Sequence, residues 1–375
     1  MIEKLQTPTA FTGRLPRQIQ RALPVYLACI LIIFIISHAD SLGAPVRVAE
    51  RGFSHQKPLA LATKFPRKIW QTWKVDPLGF EERDSSCART WTSKNPGYRY
   101  EVLTDSNDLM YVESHYGPAG LNRPDIVETY RSLTAKIIKA DLLRYLVMYV
   151  DGGLYTDLDV EALNPTESFI PDRYKEGDID MVIGVEIDQP EFKDHAILGP
   201  KSQSFCQWTF MAKPGLPVLR RLVGGILLWL QGLSESQGVP ISQLQLDFDE
   251  VISGTGPSAF TSAILAEISA GAGHAVTWDS FHAMRESKLI GGAAVLTVEA
   301  FAAGQGHSDS GNHNARTALV EHRYDPSGWP TCIQLWDANT AAFKALSIEE
   351  QAKMVAIKEV GDAQEAAAAL AAAAV

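Results

Sequence analysis

The most informative segment of the sequence is residues 140–159, ADLLRYLVMYVDGGLYTDLD. From residue 133 to residue 150, apolar side chains recur at the 3.6-residue spacing of a buried helix face, and the two glycines that follow are typical helix stops. Residues 154–160 then alternate in the manner of a strand. The pattern predicts a helix, a glycine turn and a strand that carries Asp157 and Asp159 on one face.

The residues before this stretch predict two further strands. The sequence KIWQTW at residues 68–73 is typical of a buried strand, and residues 98–103 alternate as a second one. A helical segment at residues 84–93 lies between them, and Asn95-Pro96-Gly97 is a turn signal. Two strands joined by a helix predict a βαβ unit, and hence an α/β, Rossmann-like sheet that binds a nucleotide.

The second half of the chain predicts shorter elements. We expect strands at residues 181–185, 276–278 and 294–298, an element of undecided type at 205–212, and helices at 217–231 and 258–269, with Ser258 as the cap of the last helix. Ser347 and Glu350 form a capping box at the start of a helix that continues into an alanine-rich tail.

The acidic composition restricts the class of partner. The 375 residues carry a formal net charge of −10, and no long basic run occurs outside the N-terminus. Nucleic acid is therefore not an expected partner, because such binding relies mainly on Lys and Arg contacts to phosphates. An anionic nucleotide remains compatible with this charge if a divalent cation bridges it to carboxylates.

The four cysteines are too few for a disulfide scaffold. Cys29 lies in an apolar run, and Cys87, Cys206 and Cys332 leave room for one disulfide and one free thiol. The sequence does not choose the pair. No cluster of cysteines and histidines has the spacing of a zinc site.

The N-terminus predicts a membrane anchor. An apolar segment at residues 22–39 follows Arg14, Arg17 and Arg21. By the positive-inside rule, residues 1–21 are a cytoplasmic tail and the remainder is luminal, as in a single-pass type II protein of the Golgi membrane. A cleaved signal peptide is the alternative, because small residues follow the apolar run. The expected order continues with a stem at 40–63, a catalytic domain at 64–346 and a helix or tail at 347–375.

Asp157-Leu158-Asp159 is a D-x-D triplet, a pattern that alone is common in solvated loops. Its position after a helix and a glycine turn favours a function, because Mg²⁺ and Mn²⁺ take oxygen ligands from one or two carboxylates and from substrate phosphates. Such a cation neutralises charge on a departing nucleoside diphosphate. Asp141 and Arg144 share a face of the preceding helix, where they form either an ordinary ion pair or a donor-binding pair.

Three runs carry a resemblance to a known family: FPRKIWQTW at residues 65–73, NPGYRYEVLTD at 95–105, and the stretch at 140–159. Together they resemble the sugar-binding DxD region of glycosyltransferase family 32, over roughly residues 65–329. The fungal α-1,6-mannosyltransferases that initiate outer-chain growth on N-glycans are the subgroup that these runs resemble.

The resemblance implies a GT-A fold, Mn²⁺ as cofactor, GDP-mannose as nucleotide-sugar donor, a glycan or glycoprotein acceptor, and retention at the anomeric carbon. Carried over to this chain, Asp157 and Asp159 bind the metal and the diphosphate and are the expected catalytic residues. The residues expected to contact the donor are Asp141, Arg144, Gly153, Tyr155 and Trp70. For Trp70, core packing is an equal alternative.

His322 is the third expected metal ligand. The subgroup places a metal- or phosphate-contacting histidine before Gly-Ser/Thr-Trp, whereas His322 is followed by RYDPSGW at residues 323–329. A structural role for His322 is therefore the alternative, and the acceptor and linkage stay open. Two other functions also stay open: a transferase with a UDP-sugar donor, and a catalytically silent homologue that binds glycan or scaffolds Golgi enzymes. A hydrolase is not expected, because no GxSxG or HExxH motif is present.

Overall fold

The computed structural model describes residues 62–194, 199–304 and 316–323. Its centre is a mixed sheet of eight strands in the order β2-β1-β3-β7-β5-β9-β8, with β6 paired to β5. These strands are β1 (Lys68–Trp73), β2 (Arg99–Thr104), β3 (Gly153–Thr156), β5 (Met181–Asp188), β6 (Gln203–Phe205), β7 (Thr209–Ala212), β8 (Lys288–Ile290) and β9 (Ala293–Leu296). A separate two-stranded sheet pairs β4 (Val160–Ala162) with β10 (Val320–His322).

The strand directions bring five carboxyl ends to one edge of the sheet. Strand β1 is parallel to β2 and β3, whereas β7 is antiparallel to both β3 and β5, and β9 is parallel to β5. Strands β2, β1, β3, β5 and β9 therefore run the same way, and β7 starts at the edge where they end. Ligands of α/β sheets bind outside this carboxyl edge.

Helices and loops cover both faces of the sheet. The helices are α1 (Glu82–Lys94), α2 (Asp108–Tyr116), α3 (Pro124–Ser132), α4 (Lys136–Val150), α5 (Pro217–Gln237), α6 (Phe248–Gly254), α7 (Pro257–Ala272) and α8 (Val298–Phe301). Neighbouring residues of one strand belong to different hydrophobic clusters: Trp70 packs with α4, α5 and α7, and Ile69 packs with Trp91 of α1 and Phe301 of α8. This alternation shows that the sheet is buried on both sides, as expected for an α/β fold.

The βαβ prediction is confirmed. Strands β1 and β2 are parallel neighbours, and α1 connects them through one face. The predicted glycine turn is also present, because Gly152 and Gly153 have φ values of +62° and +103°. A Cβ atom on Gly153 would lie 2.5 Å from the Lys68 carbonyl oxygen, so glycine permits the close approach of β3 to β1.

The predicted strand at residues 154–160 is wrong in one important respect. Strand β3 ends at Thr156, and Asp157-Leu158-Asp159 form a turn before β4. The Asp157 N–H donates to the Trp208 carbonyl, and the Val160 N–H donates to the Asp157 carbonyl, 3.2 Å away. The two carboxylates are therefore held on a turn with different neighbours, and not side by side on a strand face.

Four smaller predictions also need correction. The helix expected from residue 133 begins at Lys136, where α4 starts, and the element at 205–212 is two strands, β6 and β7. The strand expected at 276–278 is a short 3-10 turn, Trp278–Ser280. Ser258 is not a cap, because Gly256 occupies that position with Pro257 as the first helical residue. Proline at this position needs no N–H partner, which removes part of the need for a side-chain cap.

Several predictions lie outside the described residues. They concern the cytoplasmic tail at 1–21, the membrane span at 22–39, most of the stem at 40–63, Cys332, and the alanine-rich segment at 347–375. Within the described ranges, no helix combines the length and the apolar character needed to cross a membrane. Cys87 and Cys206 are both buried free thiols, so they do not form a disulfide with each other.

Candidate functional site

The candidate site lies at the carboxyl edge of the sheet, where β3 leads into the turn that carries Asp157 and Asp159. The carboxyl ends of β1 and β5 reach the same edge, as does the segment before β7. The side-chain amide of Gln71 on β1 donates to the Asp157 carbonyl at 3.0 Å, and Trp208 accepts the Asp157 N–H at 2.8 Å. The turn is therefore fixed from both neighbouring strands.

Arg144 lies between two aspartates on the first side of this site. Its guanidinium is 3.3 Å from Asp141 Oδ1 and 3.3 Å from Asp157 Oδ1. The side chain of Arg144 is only 8% exposed, whereas that of Asp157 is 27% exposed, so the aspartate is the member that faces the solvent. The structure thus joins the helix pair, Asp141 and Arg144, to the D-x-D turn.

A second layer of hydrogen bonds supports Asp141 and Arg144. Thr255 donates to Asp141 Oδ2 at 2.7 Å, and Gln207 donates to Asp141 Oδ1 at 3.4 Å. The Gln207 carbonyl accepts from Arg144, and the single Tyr145 hydroxyl proton is shared between Gln207 Oε1 and the Thr255 carbonyl. The sequence did not point to Gln207 or Thr255, because both lie far along the chain from the aspartates and belong to no recognisable motif.

Asp159 faces the other side of the site, toward His322. The His322 Nε2 atom is 3.3 Å from Asp159 Oδ2, and the pairing of β10 with β4 sets this approach by placing His322 opposite Val160. The imidazole also packs on the indole of Trp208, with ring centroids 4.5 Å apart. The structure therefore brings His322 to the aspartates.

Burial and charge shift the titration of these groups. Burial raises the pKa of Asp141 to about 6, although Arg144 opposes the shift. Burial also raises the pKa of Asp157, and the nearby charge of Asp159 adds to that increase against the opposing effect of Arg144. For His322, burial alone lowers the pKa, but the carboxylates of Asp159 and Asp157 outweigh burial and raise it. Repulsion between the Asp157 and Asp159 carboxylates contributes to the shift of Asp157, and a cation bound between them would relieve it.

The other three residues expected to contact the donor are buried in this structure. Tyr155 is fully buried and donates to Asp157 Oδ1 at 2.7 Å, so it orients that carboxylate. Gly153 is buried against β1. Trp70 is 5% exposed, donates to the Gly152 carbonyl at 3.1 Å and packs edge-on against Tyr111. Trp70 is thus part of the core, in agreement with the alternative of core packing.

Trp73 is an aromatic residue at the site edge that the sequence analysis missed. Residues 71 and 73 alternate onto the same face of β1, so Trp73 lies one step beyond Gln71 toward the carboxyl edge. Its indole nitrogen is buried and has no hydrogen-bond partner among the described residues. The Lys74 ammonium lies 5.1 Å from the indole centroid. An aromatic face, an unpaired donor and a cation suit an anionic nucleotide.

The residues present fit a divalent cation that is shared with a diphosphate. Within the described ranges, no group of three or more His, Cys, Asp or Glu side chains is arranged to hold a metal ion. Asp157 and Asp159 nevertheless supply two carboxylates on one short turn, and Mg²⁺ and Mn²⁺ commonly use one or two carboxylates together with substrate phosphates. The arrangement fits that kind of site and does not fit a cage made by protein alone.

Comparison with known proteins identifies the family. Residues 81–175, which include α4, β3 and the D-x-D turn, match the family described as "Glycosyltransferase sugar-binding region containing DXD motif". This part of the chain therefore matches the sugar-binding DXD region of a glycosyltransferase family, in agreement with the resemblance to family 32.

Two fungal relatives align with a longer part of the chain than residues 81–175. It is 31% identical over 259 residues to "Initiation-specific alpha-1,6-mannosyltransferase" of Schizosaccharomyces pombe, an alignment that covers 68% of this chain and 62% of the relative. It is 36% identical over 179 residues to the protein of the same name from Candida albicans, covering 46% of this chain and 45% of the relative. The chain thus spans about half to three fifths of the length of these relatives.

Among solved structures, "PaToxG Glycosyltransferase" overlaps 66% of this chain and 82% of its own, with 16% identity and a TM-score of 0.38. This overlap is too low to assign the fold. The parallel and antiparallel strand pairs of this chain define its mixed α/β sheet.

Proposed function

We propose that this protein transfers mannose from GDP-mannose to a glycan acceptor on glycoproteins in the secretory pathway, with retention of the anomeric configuration. The observation that carries the proposal is the D-x-D turn at the carboxyl edge of the sheet, where Asp157 lies beside the buried Arg144 and Asp159 lies beside His322. The names of the two fungal relatives support mannose as the sugar. A GT-A fold and a luminal catalytic domain behind an anchor at residues 22–39 belong to the same proposal.

The proposed metal is Mn²⁺, held by Asp157 and Asp159; His322, which the sequence analysis expected as a third ligand, contacts Asp159 Oδ2 at 3.3 Å and supports that carboxylate. When bound, the cation supplies Lewis-acid stabilisation of the negative charge that develops on the departing GDP. Tyr155 and Arg144 contact Asp157 Oδ1 and so fix that carboxylate before substrate arrives. Because this orientation exists in the protein alone, little reorganisation is needed when the donor binds.

The donor would lie across the edge between β1 and the D-x-D turn. Arg144 and Asp141 are too buried to reach far into solvent, so they act at the sugar and diphosphate end of the donor. Trp73 takes the place that the sequence analysis gave to Trp70, because its indole lies at the edge and its N–H has no partner among the described residues. Lys74 adds a positive charge next to that ring.

A donor panel tests the proposal. The full chain is incubated with GDP-mannose, UDP-galactose and UDP-N-acetylglucosamine, with a mannose-containing oligosaccharide as acceptor, in Mn²⁺ or in EDTA. We expect Mn²⁺-dependent release of GDP and a mannosylated product. We expect Asp157→Asn and Asp159→Asn to abolish transfer while the chain still unfolds cooperatively, and Asp172→Asn, an exposed aspartate away from the site, is the matched control.

Each other outcome favours one alternative. Use of a UDP-sugar would retain the site but change the donor. Metal-dependent donor binding without transfer to any acceptor would favour another acceptor class. No donor binding by a folded chain would favour the silent homologue and contradict the proposal.

A further inference from the structure

Glu186 is a buried carboxylate at the same sheet edge, and the proposed reaction does not yet use it. It lies near the carboxyl end of β5, which runs parallel to β3, and it is 5% exposed. Its Oε1 atom accepts the Trp208 indole N–H at 2.9 Å, and its Oε2 atom accepts the Ser204 hydroxyl at 3.3 Å. A buried carboxylate is costly unless it is hydrogen-bonded, and these two donors compensate part of that cost.

Trp208 connects Glu186 to both aspartates of the D-x-D turn. Its carbonyl accepts the Asp157 N–H at 2.8 Å, and its indole packs on the imidazole of His322. That imidazole lies 3.3 Å from Asp159 Oδ2. A shift of the indole would therefore move the imidazole that supports Asp159. The hydrogen bond from the indole N–H to Glu186 fixes the plane of the ring.

We propose that Glu186 is a positioning residue: by accepting the Trp208 N–H it holds the indole against His322, and thereby holds Asp159 in the geometry that binds the divalent cation. The inference rests on the proposed function, since it concerns the metal side of that site. Groups that orient metal-binding side chains typically change metal affinity 10- to 100-fold when they are removed.

The hydrogen-bonding chemistry distinguishes this role from a direct one. Glutamine at position 186 keeps an oxygen that can accept the indole N–H but has no charge. A positioning role therefore survives Glu186→Gln and fails in Glu186→Ala, whereas a role for the carboxylate as a charged group or nucleophile at the sugar fails in both. Trp208→Phe removes the indole N–H that donates to Glu186 and keeps a ring that can pack on His322.

The test measures Mn²⁺ affinity in the presence of GDP, from the electron paramagnetic resonance signal of free Mn²⁺, together with kcat and KM for GDP-mannose. We expect Glu186→Ala and Trp208→Phe each to weaken Mn²⁺ binding about 10- to 100-fold, and the double variant to be no more than about threefold weaker than either. Glu186→Gln stays within about threefold of the wild type. Glu191→Ala, an exposed glutamate shortly after β5, is the control and has no effect.

A readout without metal accompanies these titrations. In the metal-free protein labelled with ¹⁵N-tryptophan, the Trp208 indole resonance is identified by its loss in Trp208→Phe, and we expect it to shift in Glu186→Ala. Wild-type Mn²⁺ affinity in Glu186→Ala, or equal loss of kcat in Glu186→Gln and Glu186→Ala, overturns the inference. A wild-type chain that binds no Mn²⁺ instead overturns the proposed function on which the inference rests.

Discussion

The guanidinium of Arg144 lies 3.3 Å from the carboxylate of Asp157, although the two residues come from different elements and Arg144 is almost fully buried. The same guanidinium is 3.3 Å from Asp141. One buried cation thus compensates two carboxylates, one in the protein interior and one at the surface of the site. Removal of one partner from a buried ion pair is strongly destabilising, because it leaves an uncompensated charge.

We therefore expect Arg144→Met to lower the free energy of unfolding by about 3–5 kcal/mol and to abolish transfer. Adding Asp157→Asn should recover part of the stability but none of the activity, since the two sites are coupled. Urea unfolding of the full chain measures the effect. Arg89→Ala, which removes an exposed ion pair with Glu82, is the control and should stay within about 0.5 kcal/mol of the wild type. An additive double variant would show that the pair is not coupled.

The two tryptophans of β1 should respond in opposite ways to replacement by phenylalanine. Trp73→Phe removes the unpaired indole N–H at the site edge, and we expect KM for GDP-mannose to rise about 2- to 10-fold with unchanged stability. Trp70→Phe removes the buried bond to the Gly152 carbonyl, and we expect a loss of about 1–3 kcal/mol of stability with unchanged KM. Steady-state kinetics and thermal unfolding separate the two. The reverse pattern would restore Trp70 as the donor contact.

Gly153→Ala tests the close approach of β3 to β1. Its positive φ of +103° and the Lys68 carbonyl 2.5 Å from the added Cβ predict a loss of at least about 2 kcal/mol. Gly225→Ala is the matched control, because it lies within α5 and the added Cβ meets nothing within 4 Å. That substitution should stabilise the protein by about 0.5–1 kcal/mol through helix propensity. Equal effects of the two substitutions in chemical denaturation would contradict the described turn.

Cys87 and Cys206 should be unreactive in the folded protein. Burial raises the pKa of the Cys87 thiol from 9.0 to about 11 and raises that of Cys206 well above its ordinary value. At pH 8 this lowers the thiolate fraction of Cys87 from about one in ten to about one in a thousand. With Cys29→Ser and Cys332→Ser in place, we expect labelling by a thiol-disulfide reagent to be at least about 100-fold slower in buffer than in denaturant. Recovery of fewer than two thiols in denaturant would instead indicate a disulfide.

Local patterns predicted the first half of the fold well, because its elements depend on neighbouring residues. The alternation in β1 and β2 and the apolar stripe of α4 are set by burial against the same core, so periodicity reveals them. The alternation of side chains continues through Leu158 and so predicts a strand at Asp157. Strand β3 nevertheless ends at Thr156, because its pairing with β7 stops at Thr209. That partner lies about fifty residues away, and a local pattern does not contain it.

The sequence predicts the charged residues of the candidate site but not the residues that bond to them or pack against them. Asp141, Arg144, Asp157 and Asp159 stand within one stretch with recognisable spacing. Gln207, Trp208, Thr255 and Glu186 reach them only through the sheet order and the packing of α7 against α4. Such contacts follow from topology, which single-sequence periodicity does not give.

The pairing of β10 with β4 has a consequence for biosynthesis. The ion pair between Arg323 and Glu161 joins residues 162 positions apart, and the neighbouring His322 makes its approach to Asp159 through the same short strand pair. Contacts of such high sequence separation tend to form late, since the entropy cost of closing a long loop precedes the gain from the contact. During translation the large sheet can therefore assemble before β10 pairs with β4 and brings His322 to the D-x-D turn. Competence to bind the metal would arise only after the ribosome has released the residues that follow β10, so that a prematurely terminated chain would remain inactive even if most of its core were folded.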